Sequence, residues 1–263
     1  MRIIAIANQK GGVGKTTTAV NLAAGLLARS KRVLCLDFDP QCNLRAYLGH
    51  QKDDALTITD FLFAKASYRP LPPADGLIRH ASCGIDYIPC SLALSKADMV
   101  LAQAMFRERI LDDVLRAIIP EGAYDYLIID CNPSMGILLT NALVAATDVL
   151  IPVQTEEFAV SGLADMMELI AIIQNQINPG LQVLGLLPTM VGRNTVSRDI
   201  IQELHSRYSK LLLDTHISRS VEAAKSTQRQ QPLVGSKGRL SQEYQACTHE
   251  ILQRLGGMDH DNP

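Results

Sequence analysis

The chain contains no tryptophan, and aromatic residues make up only 5% of its 263 positions. A core built on stacked aromatics is thereby excluded. Ala, Leu, Ile and Val must fill the interior, within an apolar fraction of 47%, and that composition suits a sheet covered by helices. No uninterrupted apolar run reaches the roughly 18 residues of a membrane span. No basic segment followed by a long apolar stretch opens the chain, so no signal peptide is expected and the protein is expected in the cytoplasm. The six cysteines, at 35, 42, 83, 90, 131 and 247, include no C-x-x-C pair. That removes the common zinc and thiol-redox signatures, and they read as small buried thiols of a reducing cytosol. With a formal charge of −2, the chain as a whole has no polyanion-binding character. Neither a Pro/Ser-rich linker nor an internal repeat divides it. One domain over residues 1–255 is expected, followed by a polar, frayed tail at 256–263.

Short apolar runs alternate with helix-period segments. The runs Arg2–Ala7, Arg32–Leu36, Ile85–Ile88, Tyr126–Ile129, Val149–Val153 and Val183–Leu187 read as strands, with a short one at Leu211–Leu213. Helices are expected over Thr16–Ala28, Leu94–Ile119 with a break near Met105, Gly136–Ala146, Leu163–Gln176, Thr195–Ser209 and Leu240–Leu255. Residues 50–80, with Pro70, Pro72 and Pro73, read as an irregular excursion. Uniformly apolar strands in a β-α-β-α rhythm predict an α/β fold: a mostly parallel twisted sheet with helices on both faces and right-handed crossovers.

The segment Lys10-Gly11-Gly12-Val13-Gly14-Lys15-Thr16-Thr17-Thr18 follows the first strand and opens the first helix. That setting is what a phosphate loop requires. Glycines let the backbone turn tightly and aim N–H groups at phosphate oxygens, and the helix N-terminus adds partial positive charge. Gly11, Gly12, Val13, Gly14, Lys15, Thr16 and Thr17 are the expected ligands of ATP. Lys15 is expected to reach the β- and γ-phosphates and Thr16 to offer its hydroxyl to Mg²⁺. The strict Walker pattern wants glycine five residues before Gly14, where this chain has Gln9; next to it stands an additional cation, Lys10.

Two strands end in carboxylates. Val33-Leu34-Cys35-Leu36-Asp37-Phe38-Asp39-Pro40-Gln41 places two acids at a strand end, and Tyr126-Leu127-Ile128-Ile129-Asp130 places one. The C-terminal edge of a parallel sheet faces the ligand crevice. Asp130 has the form of a Walker B acid that holds a magnesium-bound water.

Taken together, these motifs resemble the ParA/MinD family of P-loop ATPases, closest to its short ParA members. Lys10–Thr17 is similar to the family's deviant Walker A, Asp37–Gln41 to its Asp-x-Asp-Pro-Gln segment, and Cys131-Asn132-Pro133-Ser134 to its switch, with Asn132 where a proline is usual. The resemblance implies a nucleotide-sandwich homodimer in which Lys10 reaches the partner's phosphates. It implies that Asp39 positions the attacking water, with Thr16, Asp130 and Asp39 about the metal, and that Asp37 supports the loop. Lys10, Lys15 and Asp39 are thus the expected catalytic residues.

Family members differ in what the ATP-bound dimer binds. Residues 190–239 hold nine Lys or Arg (193, 198, 207, 210, 219, 225, 229, 237, 239) against four acids (199, 203, 214, 222), a local excess of about five positive charges. A basic face on an acidic protein suits sequence-independent binding to a phosphate backbone. The stretch His216–Lys225 resembles one in ParA proteins where an arginine contributes to nonspecific DNA binding. That resemblance puts Arg219 first among DNA contacts, followed by Lys225, Arg193 and Arg198, and implies nucleoid association. It also implies cargo segregation, of plasmid or chromosome, with hydrolysis stimulated by a ParB-like partner. A protein cargo served by an adaptor is the alternative. A MinD-like membrane helix is disfavoured: Leu240–Leu255 carries Arg254 against Glu243 and Glu250 on its polar face, too few cations for a membrane surface. Shared-cluster iron–sulfur chemistry lacks a ligand spacing, and a biotin- or cobalamin-pathway ligase would need a substrate pocket that the sequence does not reveal. Thr189 and the loop near Arg219 are where adenine contacts are expected.

Overall fold

Five apolar runs become the middle of one seven-stranded sheet. The computed structural model describes residues 1–49, 55–157 and 159–256. Its strands are β1 (Arg2–Ile6), β2 (Val33–Phe38), β3 (Arg79–His80), β4 (Asp86–Ile88), β5 (Tyr126–Cys131), β6 (Asp148–Gln154) and β7 (Gln182–Thr189). Their order is β3-β4-β2-β5-β1-β6-β7. Every pairing is parallel except β3 with β4. The expected mostly parallel sheet with helices on both faces is therefore present. Because both faces are covered, the central strands carry consecutive apolar residues rather than an alternating pattern, with acids near their ends.

One face carries Ala5, Leu34, Leu36, Leu127, Ile129, Val149 and Ile151, packed under α3 (Ile58–Ala66), α5 (Ile110–Ile118), α6 (Ile137–Ala145) and α7 (Ala159–Gln176). The other carries Ile4, Ile6, Cys35, Ile128 and Leu150, packed under α1 (Lys15–Leu27), α2 (Asn43–Tyr47) and α10 (Arg239–Arg254). Three further helices, α4 (Ala97–Leu101), α8 (Thr195–Tyr208) and α9 (Val221–Arg229), complete the fold.

Several expectations need correction. The 50–80 stretch contains α3, whose start is fixed by Asp60 Oδ2 accepting from the Thr57 N–H at 2.8 Å, a capping box. Residues 50–54 lie outside the described part, as do residues 257–263 of the tail. The 94–119 stretch does break near Met105 as expected, into α4 and α5 with a 3₁₀ turn before each. Helix α9, within the stretch compared with DNA-binding segments, was not anticipated, because it is polar nearly all round. Leu211–Leu213 contributes one isolated bridge, Leu212 to Leu186, rather than a strand.

The stripe of α10 is buried: Leu240, Tyr244, Cys247 and Ile251 all lie in the core beside α1. Contact there is close enough to require glycine on α1. A Cβ on Gly25 would lie 2.2 Å from Thr248 Oγ1, which is itself held by the Tyr244 carbonyl at 2.8 Å. Gly25→Ala should therefore destabilise the protein by about 2 kcal/mol through overpacking, read as a lower midpoint in urea; an unchanged midpoint would show that the two helices separate freely. Among the described residues no helix is long and apolar enough to cross a membrane.

Candidate active site

Strand β1 sits between β5 and β6, so its C-terminal end opens at the centre of the sheet edge. The chain leaves it through Ala7 and Asn8, both buried. Asn8 anchors the loop from both ends of its amide: Nδ2 donates to the Pro152 carbonyl at 2.7 Å, and Oδ1 accepts from the Lys10 N–H at 2.9 Å. Gly12 and Gly14 then adopt φ of 75° and 90°, a region that side chains rarely tolerate. A Cβ on Gly11, Gly12 or Gly14 would meet no atom within 4 Å. The loop is an open cradle.

Lys15 points into that cradle. Its side chain is buried, with 7% exposure of the residue, and Nζ donates to the carbonyls of Asn8 at 3.1 Å and Lys10 at 3.0 Å. Burial pulls its pKa below the ordinary lysine value, while Asp130, Cys131 and Asp39 pull the other way. Lys10 is more exposed and lies 3.9 Å from Glu156, which also pairs with Arg219.

The acids face Lys15 from the neighbouring strands. Asp37 and Asp130 are register partners across β2 and β5. Both are almost wholly buried, and neither oxygen of Asp130 meets a donor at full hydrogen-bond geometry among the described residues, although the Thr16 side chain lies near enough to favour its charged form. Burial first, and then the charge of Asp37, push the Asp130 carboxyl well above the usual range. A buried carboxylate with both oxygens unsatisfied is costly, and such a group suits a bound cation. Among the described residues no cluster of three or more His, Cys, Asp or Glu is arranged to hold a metal alone. A magnesium ion that brings its own phosphate and water ligands needs only one or two protein groups, and Asp130, Asp39 and Thr16 fit that need.

Asp37 plays a supporting part. Its Oδ2 accepts from the Arg45 N–H, in α2, at 2.9 Å. Burial raises its pKa to about 7, with the Arg45 N–H bond opposing. A folded pKa above the unfolded one means that the folded state keeps a proton which the unfolded chain releases. Stability of the nucleotide-free protein should then rise as pH falls from about 7 towards 4. We expect the melting temperature to climb by about 5 °C between pH 8 and pH 5.5, and Asp37→Asn to flatten part of that slope; a melting temperature that falls over this interval would contradict the burial argument.

Asp39 is buried, and its Oδ1 accepts from the Gln41 N–H at 3.0 Å. Its main-chain carbonyl accepts from the Cys42 N–H at 2.8 Å. Asn132 is buried too, and its Oδ1 has no partner among the described residues. Asn132, where the family pattern has proline, thus leaves a buried acceptor without a partner two residues beyond Asp130 in the chain.

Beside the loop lies a cavity of about 350 Å³ lined by Val13, Gly14, Thr17, Thr189, Met190 and the Ile217–Ser220 loop. It joins the phosphate cradle to the end of β7, with Thr189 Oγ1 donating to the Val13 carbonyl at 2.9 Å. Thr189 and the Arg219 loop, where adenine contacts are expected, line it together with Met190, which no motif marks.

The expected DNA contacts fall on neighbouring segments, with the Arg219 N–H donating to the Val191 carbonyl at 3.1 Å, two residues before Arg193. Arg219 lines the cavity just described. Arg193 and Arg198 are exposed around the start of α8. Lys225 lies on α9 and lines a separate hollow of about 130 Å³ with Arg229, Lys237 and Glu222. Arg229 and Lys237 were counted in the basic stretch but not singled out; their convergence is a property of the fold, because α9 and the turn before α10 meet there.

Comparison with known proteins gives the same picture. A family model described as an AAA domain matches residues 1–183. The chromosome partitioning protein ParA of Caulobacter vibrioides is 36% identical over 258 residues, covering 97% of this chain and 95% of its own. This chain belongs to the ParA/MinD family of P-loop ATPases. The sporulation initiation inhibitor protein Soj of Bacillus subtilis is 37% identical over 235 residues, with 89% and 90% covered. Among solved structures, cobyrinic acid a,c-diamide synthase from Mycobacterium smegmatis with bound ADP and magnesium is 32% identical, has a TM-score of 0.82, and is covered over 96% of its chain by 97% of this one. The ParA-type chain thus shares its frame with a protein whose name denotes amide synthesis.

Proposed function

We infer that this ParA-family ATPase binds Mg-ATP in the cradle, dimerises on it, and uses hydrolysis to position cargo over nonspecific DNA. The observation that carries the reading is the pairing of an open, glycine-turned phosphate cradle with a buried, unsatisfied Asp130 across from Lys15. Lys15, with Gly11–Thr17, holds the triphosphate. Thr16, Asp130 and Asp39 hold the magnesium, which supplies charge neutralisation on the transferring phosphoryl group. Asp39, its carboxylate aimed by the Gln41 N–H, orients the attacking water. Adenosine fills the 350 Å³ cavity along β7. Lys10 reaches a second copy's phosphates, and its loose 3.9 Å pairing with Glu156 leaves it able to do so. The domain doing this spans residues 1–255.

DNA contact falls to Lys225, Arg229 and Lys237, which converge on one hollow, with Arg193 and Arg198, exposed around the start of α8, as further contacts. Arg219, paired with Glu156 at the nucleotide cavity, links occupancy to that surface. A ParB-like or adaptor protein stimulates hydrolysis, and the protein works in the cytoplasm on the nucleoid. Plasmid or chromosome is the cargo favoured, because the relatives named above include a chromosome partitioning protein. The test is DNA affinity with ADP and with ATP at low and high salt. We expect binding only with ATP, falling by more than tenfold between about 50 and 200 mM salt. Equal affinity with both nucleotides, or binding to anionic vesicles alone, would refute it.

The likeness to an amide synthase raises a second reading. The cavities beside the loop, about 320 and 350 Å³, are nucleoside-sized, whereas a corrin is a macrocycle several times larger than adenine. ATP turnover that depends on a carboxylic acid and an ammonia source would favour that reading.

A further inference from the structure

The loop that carries Asp39 also carries a thiol, and a second thiol lies beneath it. Cys42 is partly exposed and stands just before α2 with φ 54°. Cys90 is buried and lies two residues beyond β4. Their sulfurs are 3.5 Å apart, which is van der Waals contact between residues 48 positions apart in the chain. Cys90 Sγ also donates to the Asp39 carbonyl at 3.0 Å, the same carbonyl that accepts from the Cys42 N–H. Both cysteines therefore touch one peptide group, that of the residue assigned to the attacking water. Phosphoryl transfer uses neither sulfur.

We propose that Cys42 and Cys90 form a reversible oxidation site, a dithiol that a peroxide converts to a disulfide, and that the bond restrains the Asp39 loop and slows hydrolysis. The accessible Cys42 sulfur attacks the peroxide O–O bond, takes one oxygen as a sulfenic acid and releases water. The Cys90 sulfur then attacks the Cys42 sulfur and displaces that oxygen as a second water. The two thiols lose two electrons and two protons, and the peroxide is reduced to two waters. The sulfurs must close from 3.5 Å to about 2.05 Å. An external dithiol reverses the step by exchange. The catalytic consequence rests on the water-orienting reading of Asp39; the chemistry of the pair does not.

The experiment treats the full-length protein with hydrogen peroxide, blocks the remaining thiols, and maps non-reduced tryptic peptides by mass. Cleavage leaves Cys35 with Cys42 and Cys83 with Cys90, so variants assign the bond. We expect one linked pair of peptides, lost in Cys42→Ser and in Cys90→Ala but retained in Cys83→Ser. We expect ATP turnover of the oxidised wild type to fall at least fivefold and to return with dithiothreitol, while Cys42→Ser resists the same treatment. Full alkylation of both thiols after peroxide, or a link that survives in Cys42→Ser, overturns the site. A formed bond with unchanged turnover overturns the restraint. If Asp39→Ala hydrolyses normally, the water-orienting role is lost, yet the linked peptides still report on the pair.

Discussion

Replacing Lys15 with alanine should raise the dissociation constant for ATP by more than a hundredfold. The ammonium is buried and held by two loop carbonyls, Asn8 and Lys10, at 3.0–3.1 Å. It already stands inside the cradle, so a triphosphate exchanges those carbonyls for anionic oxygens without reordering the side chain. A charge-assisted contact of that kind, in a site partly shut off from water, is worth about 3 kcal/mol or more, and about 1.4 kcal/mol corresponds to each tenfold in affinity. Isothermal titration with a non-hydrolysable ATP analogue reads the loss. The apo variant should melt no lower than the wild type, since the burial that lowers the Lys15 pKa disfavours its charge. Affinity within tenfold of wild type would mean that the backbone nest alone binds the phosphates.

Asp39→Ala should separate binding from chemistry. The carboxylate is buried and fixed by Gln41 at 3.0 Å, a rigid placement suited to orienting a water rather than gripping the nucleotide. Loss of a positioned base or water-orienting group costs about 10²–10⁴-fold in rate, whereas the triphosphate keeps Lys15, the glycine loop and Asp130. We expect ATP affinity within about threefold of wild type, turnover reduced at least a hundredfold, and a dimer that persists on gel filtration after excess ATP is removed. Turnover within a few-fold of wild type would assign the water to another group, and Asn132, with its unpartnered buried oxygen, would be the first to examine.

How much of this was legible without coordinates depended on how local the signal was. The phosphate loop, the acids at the ends of β2 and β5 and the parallel sheet were readable, because each is written in consecutive residues: glycines before Lys15, apolar runs before Asp37 and Asp130. Helix α3 was hidden by the prolines that follow it, although Thr57 and Asp60 spell a capping box. Helix α9 was hidden because its buried contact is small: Ser226 alone among its residues is buried. What could not be read were meetings across the chain. Glu156 pairs with both Lys10 and Arg219, and Cys42 touches Cys90; no spacing rule announces either. The basic stretch was the least resolved, since a charge count over residues 190–239 cannot tell Arg219, which lines the 350 Å³ cavity, from Lys225, in a hollow of its own.

One side chain on the first helix ties these regions together. Asn21 donates to the Thr17 carbonyl at 2.8 Å, and its Oδ1 accepts from the N–H groups of Leu233 at 2.7 Å and Val234 at 3.1 Å. The helix that starts under the phosphates is thereby bolted, less than two turns along, to the segment leading to Lys237. Any displacement of that helix would be transmitted through Asn21 to the Leu233 and Val234 backbone. Cutting the bolt, as in Asn21→Leu, would leave the Leu233 and Val234 N–H groups without their acceptor and uncouple that segment from the helix.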